Sequence, residues 1–228
     1  MEVYHVDING TIIGCDSTDP NASIEDAAAD ALSRSVDVNG MILTDNNTQS
    51  YYEWLKENYP KTYKKEAYNV ITTFPQHKES LEKLIHNFNQ GLFRSFVNLL
   101  ETKIHKRNAL LVFRTFGHDG DKVLADINAN RDDPINFIKC DVSDLTFEKY
   151  QECILSETHI LVQDNYKFWN TNGRSVKFGK VIQSYPGIVQ YGFDDNDCMY
   201  PLGEDVTFIK INTLRAALEE DYFLNLLQ

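Results

Sequence analysis

Short runs of β-branched and other apolar residues recur along the chain: Val3 to Ile8, Ala109 to Phe116, Ile135 to Lys139, His159 to Gln163, Gly187 to Tyr191 and Val206 to Ile211. Helical patterns follow several of them, and this alternation is the strongest constraint on the fold. Continuous apolar runs of strand length suit strands buried on both faces. Strands separated by helices pair in parallel, because a parallel neighbour is reached only by a crossover. The expected class is therefore α/β with a parallel sheet. In such sheets ligands gather at the carboxyl ends of the strands, where the loops point away from the packed core. A chain of 228 residues that is 42% hydrophobic can bury a core of this kind, as one large domain or as a core carrying an insertion.

The first two strands are separated by a long stretch without a convincing strand. Ser23, with Asp26 three residues on, is the signature of an N-cap for a helix over Ile24 to Arg34, and a polar, Asn-rich stretch near Thr44 to Ser50 follows it. Leu81, Leu84, Ile85 and Phe88 fall on one face of a helix. Phe93, Phe96, Leu100 and Ile104 extend a second stripe that returns the chain to the sheet near Lys106. Tyr51, Tyr52, Trp54 and Tyr59 read as the core of this helical region, and Lys61, Lys64 and Lys65 as a solvated face. Further on, Asp119 or Asp121 is expected to cap a helix, and Asp164 to Gly173 reads as either a hairpin or an active-site flap. Phe178 to Ser184 reads as a short helix, and Leu214 to Leu227 as a helix capped by Asn212 or Thr213.

Lys and Arg number 22 against 34 Asp and Glu, a formal charge of -12, so the average surface field repels nucleic acid and anionic lipid. A phosphorylated ligand then has to be held locally, by a divalent cation, helix N-termini or a single lysine. Cys15, Cys140, Cys153 and Cys198 lie far apart with no Cys-x-x-Cys pair, which argues against zinc and for free thiols. No run approaches a membrane span and the first residues lack the pattern of a signal peptide, so a cytoplasmic protein is expected.

Three strand ends carry chemistry: Asp7 with Asn9-Gly10-Thr11, Thr115 with Gly117, and Asp194-Asp195. If their strands are neighbours, the carboxylates and hydroxyls suit an oxygen-liganded magnesium and a phosphoryl group, with Lys177 or Lys180 to balance charge. His118, Asp119 and Asp121 read as a loop and helix cap rather than a metal site. The order of these motifs resembles the haloacid dehalogenase superfamily of aspartate-nucleophile phosphohydrolases. Its motifs are matched by Val6-Asp7-Ile8-Asn9-Gly10-Thr11, by Leu110-Leu111-Val112-Phe113-Arg114-Thr115, by a lone lysine, and by Ile188 to Asn196 ending in Asp194-Asp195.

That resemblance implies a Rossmann-like three-layer parallel sheet core over residues 1–14 and 95–228, with an inserted helical cap over residues 15–94. It implies Asp7 as nucleophile, Thr115 on a phosphoryl oxygen, and Lys177 or Lys180 offsetting charge. Magnesium would lie among Asp7, Asn9, Asp194 and Asp195, and the phosphate among Gly10, Thr11, Arg114, Thr115 and Gly117. The departure is Asn9, which stands where hydrolytic members carry a second aspartate as general acid and base. An amide cannot perform that role, which is typically worth about a hundredfold to ten-thousandfold in rate. The expectation is a weak magnesium-dependent phosphatase for a small phosphorylated molecule, or a catalytically impaired protein that binds one.

Overall fold

The computed structural model describes residues 1–14, 23–44, 48–104, 109–129 and 131–228. Cys15, the helix end expected near Lys106 and part of the Thr44 to Ser50 stretch lie outside them. Six strands form one sheet: β1 (Glu2–Asp7), β2 (Ala109–Thr115), β3 (Asn136–Cys140), β4 (Thr158–Gln163), β6 (Val189–Asp194) and β8 (Val206–Lys210). Their order is β3-β4-β2-β1-β6-β8 and every pairing is parallel. β5 (Lys180–Gln183) and β7 (Met199–Leu202) pair in parallel as a separate two-stranded ribbon.

The alternation of side chains along the strands divides the core in two. Tyr4, Val6, Leu111, Phe113 and Phe193 face one large cluster. It is completed by α5 (Lys78–Gln90), α6 (Arg94–Leu99), which runs on into a π-helical turn over Leu100–Ile104, α7 (Gly120–Asn128), α10 (Thr213–Leu218) and α11 (Tyr222–Asn225). Val3, Leu110, Val112, Ile160 and Val162 face the other way, onto Tyr150 and Cys153 of α8 (Phe147–Leu155). Helices on both faces of a buried parallel sheet make a Rossmann-like three-layer α/β fold.

Between β1 and α6 the chain is helical, with α1 (Ile24–Ser35), α2 (Tyr51–Asn58), α3 (Tyr63–Tyr68), α4 (Val70–Thr73) and then α5. α1 begins with a capping box. The Asp26 amide donates to Ser23 Oγ at 3.1 Å and the Ser23 amide to Asp26 Oδ2 at 3.4 Å. Ser50 and Glu53 form a second box at α2. Ala28, Leu32, Leu84 and Phe88 of this segment belong to the same buried cluster as the sheet residues Val6 and Phe113, so the segment shares the core rather than forming its own. A side-chain bond to α10 fastens it there, from Asn87 Nδ2 to the Ala217 carbonyl at 2.7 Å, and Ser95 Oγ of α6 bonds the neighbouring Ala216 carbonyl at 2.6 Å.

Two local expectations are corrected, and one of two alternatives is removed. Phe178 to Ser184 is not a helix; a 3-10 turn over Val176–Phe178 leads into β5. The Lys180 amide bonds the Cys198 carbonyl at 2.6 Å, so long-range pairing with β7 overrides the local pattern. Asp164 to Gly173 contains α9 (Tyr166–Thr171), capped by Asn165, and not a hairpin. The C-terminal helix is two short helices: α10, whose N-cap is Asn212, ends at Leu218 and α11 starts at Tyr222. Cys140, Cys153 and Cys198 are unbridged. Among the described residues no helix is long and apolar enough to cross a membrane.

Candidate functional site

β1 is central, with β2 on one side and β6 on the other, so the ends bearing Asp7, Thr115 and Asp194 lie side by side. The chain leaves β1 in a tight turn. The amides of Ile12 and Ile13 both reach the Ile8 carbonyl, and the Gly10 amide bonds the Ile13 carbonyl at 2.8 Å. Gly10 has φ +76°, and a Cβ there would lie 2.6 Å from Asp195 Oδ2, so both conformation and space demand glycine. Thr213 Oγ1 donates to the Gly10 carbonyl at 2.6 Å and ties the turn to α10.

Lys180 arrives from the ribbon, which can lie close because two glycines give way. A Cβ on Gly192 of β6 would sit 2.9 Å from Ile182 Cδ1, and one on Gly179 would sit 2.2 Å from the Cys198 carbonyl oxygen. Its ammonium donates to Asp7 Oδ1 and to Asp194 Oδ2, the latter at 2.9 Å, and the side chain is only 2% exposed. Asp194 also accepts from the Asn196 amide at 2.8 Å and the Cys198 thiol at 3.1 Å. Thr11 bridges the two loops: Oγ1 accepts from the Asp195 amide at 3.1 Å and reaches Asp7 Oδ2 at 3.5 Å. Asp195 Oδ2 accepts from Asn196 Nδ2 at 2.9 Å, whereas its Oδ1 is buried with no hydrogen-bond partner.

Asp7, Asp194 and Asp195 present carboxylate oxygens within 4.8 Å of one another. Burial pushes Asp7 well above the usual carboxylate range; the Lys180 ammonium pulls it back, and Asp194 and Asp195 push it further up. Asp195 is pushed up to about 7, by burial first and by Asp194 second. Burial also opposes the Lys180 charge, but Asp194 and Asp7 together outweigh it and hold the ammonium protonated. Arg34 of α1 adds a second cation near Asp195; it is fixed to Asp30 Oδ2 at 2.5 Å and stacked on Tyr52 at 3.7 Å. Two buried carboxylates and the half-buried Asp195 against these cations leave the cluster short of positive charge.

A divalent, oxygen-seeking cation fits this set. The donors are hard oxygens, the excess charge is negative, and Asp195 Oδ1 is buried without a partner. Asp7, Asn9, Asp194 and Asp195 are the residues that would hold it.

The cluster opens onto a cavity of about 680 Å³, within the range of roughly 300–1,000 Å³ usual for small-molecule sites. Asp7, Asn9, Gly10, Lys180 and Asp195 line one part of it, and Phe116 and Gly117 another. The helical segment lines it through Arg34, Tyr52, Tyr63 and Lys64. Of the residues expected from sequence, Asp7, Asn9, Gly10, Thr11, Lys180, Asp194 and Asp195 come together around β1.

Thr115 stands at the next strand end with Oγ1 accepting from the Gly117 amide at 3.0 Å; its neighbours Phe116 and Gly117, not Thr115 itself, line the cavity. Lys177 is exposed on the 3-10 turn, which leaves Lys180 as the lysine of the site. Arg114 is a correction. It is fully buried with its guanidinium forked onto Asp164 at 2.9 and 2.6 Å and its remaining nitrogen on the Val181 carbonyl at 3.0 Å. It braces β2 against the loop after β4 and against β5, with no donor directed to a ligand. Asp121 pairs with Lys139 at the surface, apart from the cluster.

Arg34 and Cys198 were not legible as site residues. The Asp30–Arg34 spacing signals an ion pair on a helix but not its direction, and nothing around Cys198 marks it. No family model, curated protein or solved structure matches the chain.

Proposed function

We propose that the chain is a magnesium-dependent, haloacid dehalogenase-like phosphohydrolase that acts on a small phosphorylated molecule through Asp7. The observation that carries this reading is the pairing of Asp7 with Lys180 and the Asp194-Asp195 loop at the carboxyl ends of adjacent parallel strands, beside a cavity of ligand size. The Asp7 carboxylate attacks phosphorus, the bond from phosphorus to the leaving oxygen breaks, and an aspartyl-phosphate forms on Asp7; water then cleaves it to phosphate and free Asp7. Lys180 offsets the charge between carboxylate and phosphate, and Thr11 and the Gly10 turn hold Asp7 and Asp195 in register. Magnesium, when bound, supplies the balancing charge for the carboxylates and the phosphoryl oxygens.

Asn9 favours a second reading, a protein that binds the phosphorylated ligand and turns it over slowly or not at all. Asn9 lines the cavity beside Asp7, where an amide can hydrogen-bond a phosphoryl group but cannot exchange a proton. Hydrolysis of an aryl phosphate by wild type, Asp7→Asn and Asn9→Asp separates the two. The hydrolase reading expects magnesium-dependent turnover that Asp7→Asn abolishes. Turnover appearing only in Asn9→Asp supports the binder with an otherwise intact site, and no turnover in any of the three counts against the hydrolase.

A further inference from the structure

One end of the cavity is aromatic to a degree that a phosphate site does not require. Phe116, next after β2, lies against Lys180, whose Nζ is 5.1 Å from the ring centroid. Trp169 of α9 stacks on Phe116 with centroids 4.9 Å apart and planes within 12°, and Tyr166 stands edge-on to Phe116 at 5.9 Å. Tyr52, Tyr63 and Tyr68 of the helical segment line the same cavity. Trp169 Nε1 is buried and has no hydrogen-bond partner. An indole nitrogen only donates, and this one has no acceptor within the protein, so it is available to an acceptor that a ligand brings. Arg174 sits at this end as well, 5.8 Å over the Trp169 ring and bonded to Asn170 Oδ1 at 2.9 Å.

A small sugar phosphate would leave these rings and this donor unused. We infer that the phosphorylated ligand is a nucleoside monophosphate, with its phosphate at Asp7 and Lys180 and its heterocycle against Trp169 and Tyr166. This assignment rests on the phosphoryl site proposed above. Lys180, Phe116 and Trp169 touch in series, so phosphate and base sites are separated by about one ring, the place of the pentose. Trp169 Nε1 donates to a ring nitrogen or exocyclic oxygen of the base. The charge of -12 turns away polynucleotides, whereas a single nucleotide presents few phosphate charges and these meet Lys180 locally.

The chain has two tryptophans, and Trp54 does not line the cavity, so a Trp54→Phe protein carries Trp169 as its single reporter. The test titrates it, with magnesium, against each common ribonucleoside monophosphate, ribose 5-phosphate and inorganic phosphate. At least one nucleotide is expected to quench Trp169 and to bind about ten- to a hundredfold more tightly than ribose 5-phosphate, the size of stacking one base on one aromatic side chain. Calorimetry on Trp169→Ala is expected to show that advantage lost and the ribose 5-phosphate affinity kept. Equal binding of nucleotides and ribose 5-phosphate, or equal weakening of both by Trp169→Ala, overturns the inference. Acetyl phosphate, which has no ring, keeps the failures apart. Its hydrolysis through Asp7 without any nucleotide preference overturns the base assignment alone. Nucleotide preference without acetyl phosphate hydrolysis supports the base assignment and removes the hydrolase.

Discussion

Replacing Lys180 by Met keeps most of the side chain's volume and removes the ammonium that Asp7 and Asp194 share. The side chains of Lys180 and of the two aspartates are 2%, 8% and 0% exposed, so water cannot take over the lost bonds. Breaking a buried ion pair from one side costs roughly 3–5 kcal/mol, a large share of the roughly 5–15 kcal/mol that holds a domain together. At about 2–4 °C per kcal/mol for a chain of this size, the melting temperature should fall by roughly 6–20 °C in chelator at pH 8. A carboxyl whose folded pKa is raised costs stability above its unfolded pKa, and that cost disappears as pH falls through the folded value. Burial already raises Asp7, so the gap between variant and wild type should narrow on acidification. Magnesium should raise the melting temperature of the variant, whose carboxylates it neutralises, by the equivalent of about 2.7 kcal/mol at a hundred times its dissociation constant. Thermal melts of both proteins, with chelator and with magnesium, at pH 8 and pH 5, measure all three effects. A variant that melts with wild type at pH 8 and ignores magnesium would refute the charge cluster as described.

Gly10→Ala forces a left-handed backbone onto alanine, at roughly 1–2 kcal/mol, and drives a methyl into Asp195, so magnesium binding measured by calorimetry should be lost while the fold survives. Arg114→Met should destabilise by roughly 3–5 kcal/mol in urea unfolding, because Asp164 is left buried and unpaired; a stable variant with weakened phosphate binding would return Arg114 to the ligand. Asp195, at about 7, must shed its proton to hold a cation, so magnesium affinity should fall by about tenfold per unit as pH drops below 7, and a flat profile would remove Asp195 from the metal set.

Much of the sheet was readable because β1 and β2 are buried on both faces and therefore appear as unbroken apolar runs; in β2 the residues from Leu110 to Thr115 are all buried. The Ser23 and Asp26 box and the Leu84 and Phe88 stripe were readable because capping and helical periodicity are local. β5 and β7 were not: each has four residues, and their pairing joins positions 180–183 to 199–202 across an intervening strand. The lysine could not be chosen from sequence for the same reason, since Lys180 reaches Asp7 only because Gly192 and Gly179 let the ribbon approach. Arg114 reads as a phosphate ligand by residue type, and its actual partner, Asp164, lies 50 positions away. Trp169 falls in the segment that reads equally as a hairpin or an active-site flap, and its indole lines the cavity in a stack with Phe116 that the sequence does not show.

The central claim is that Asp7 becomes phosphorylated, and Asn9 makes this directly measurable, because without a general base the intermediate should break down slowly and accumulate. Wild type mixed with an aryl phosphate and magnesium, quenched in acid and analysed by peptide mass mapping, should carry a phosphoryl group on Asp7 that is absent with chelator and in Asp7→Asn. A phosphoryl group on another residue, or turnover with none detectable on Asp7 even at the shortest mixing times, would contradict it.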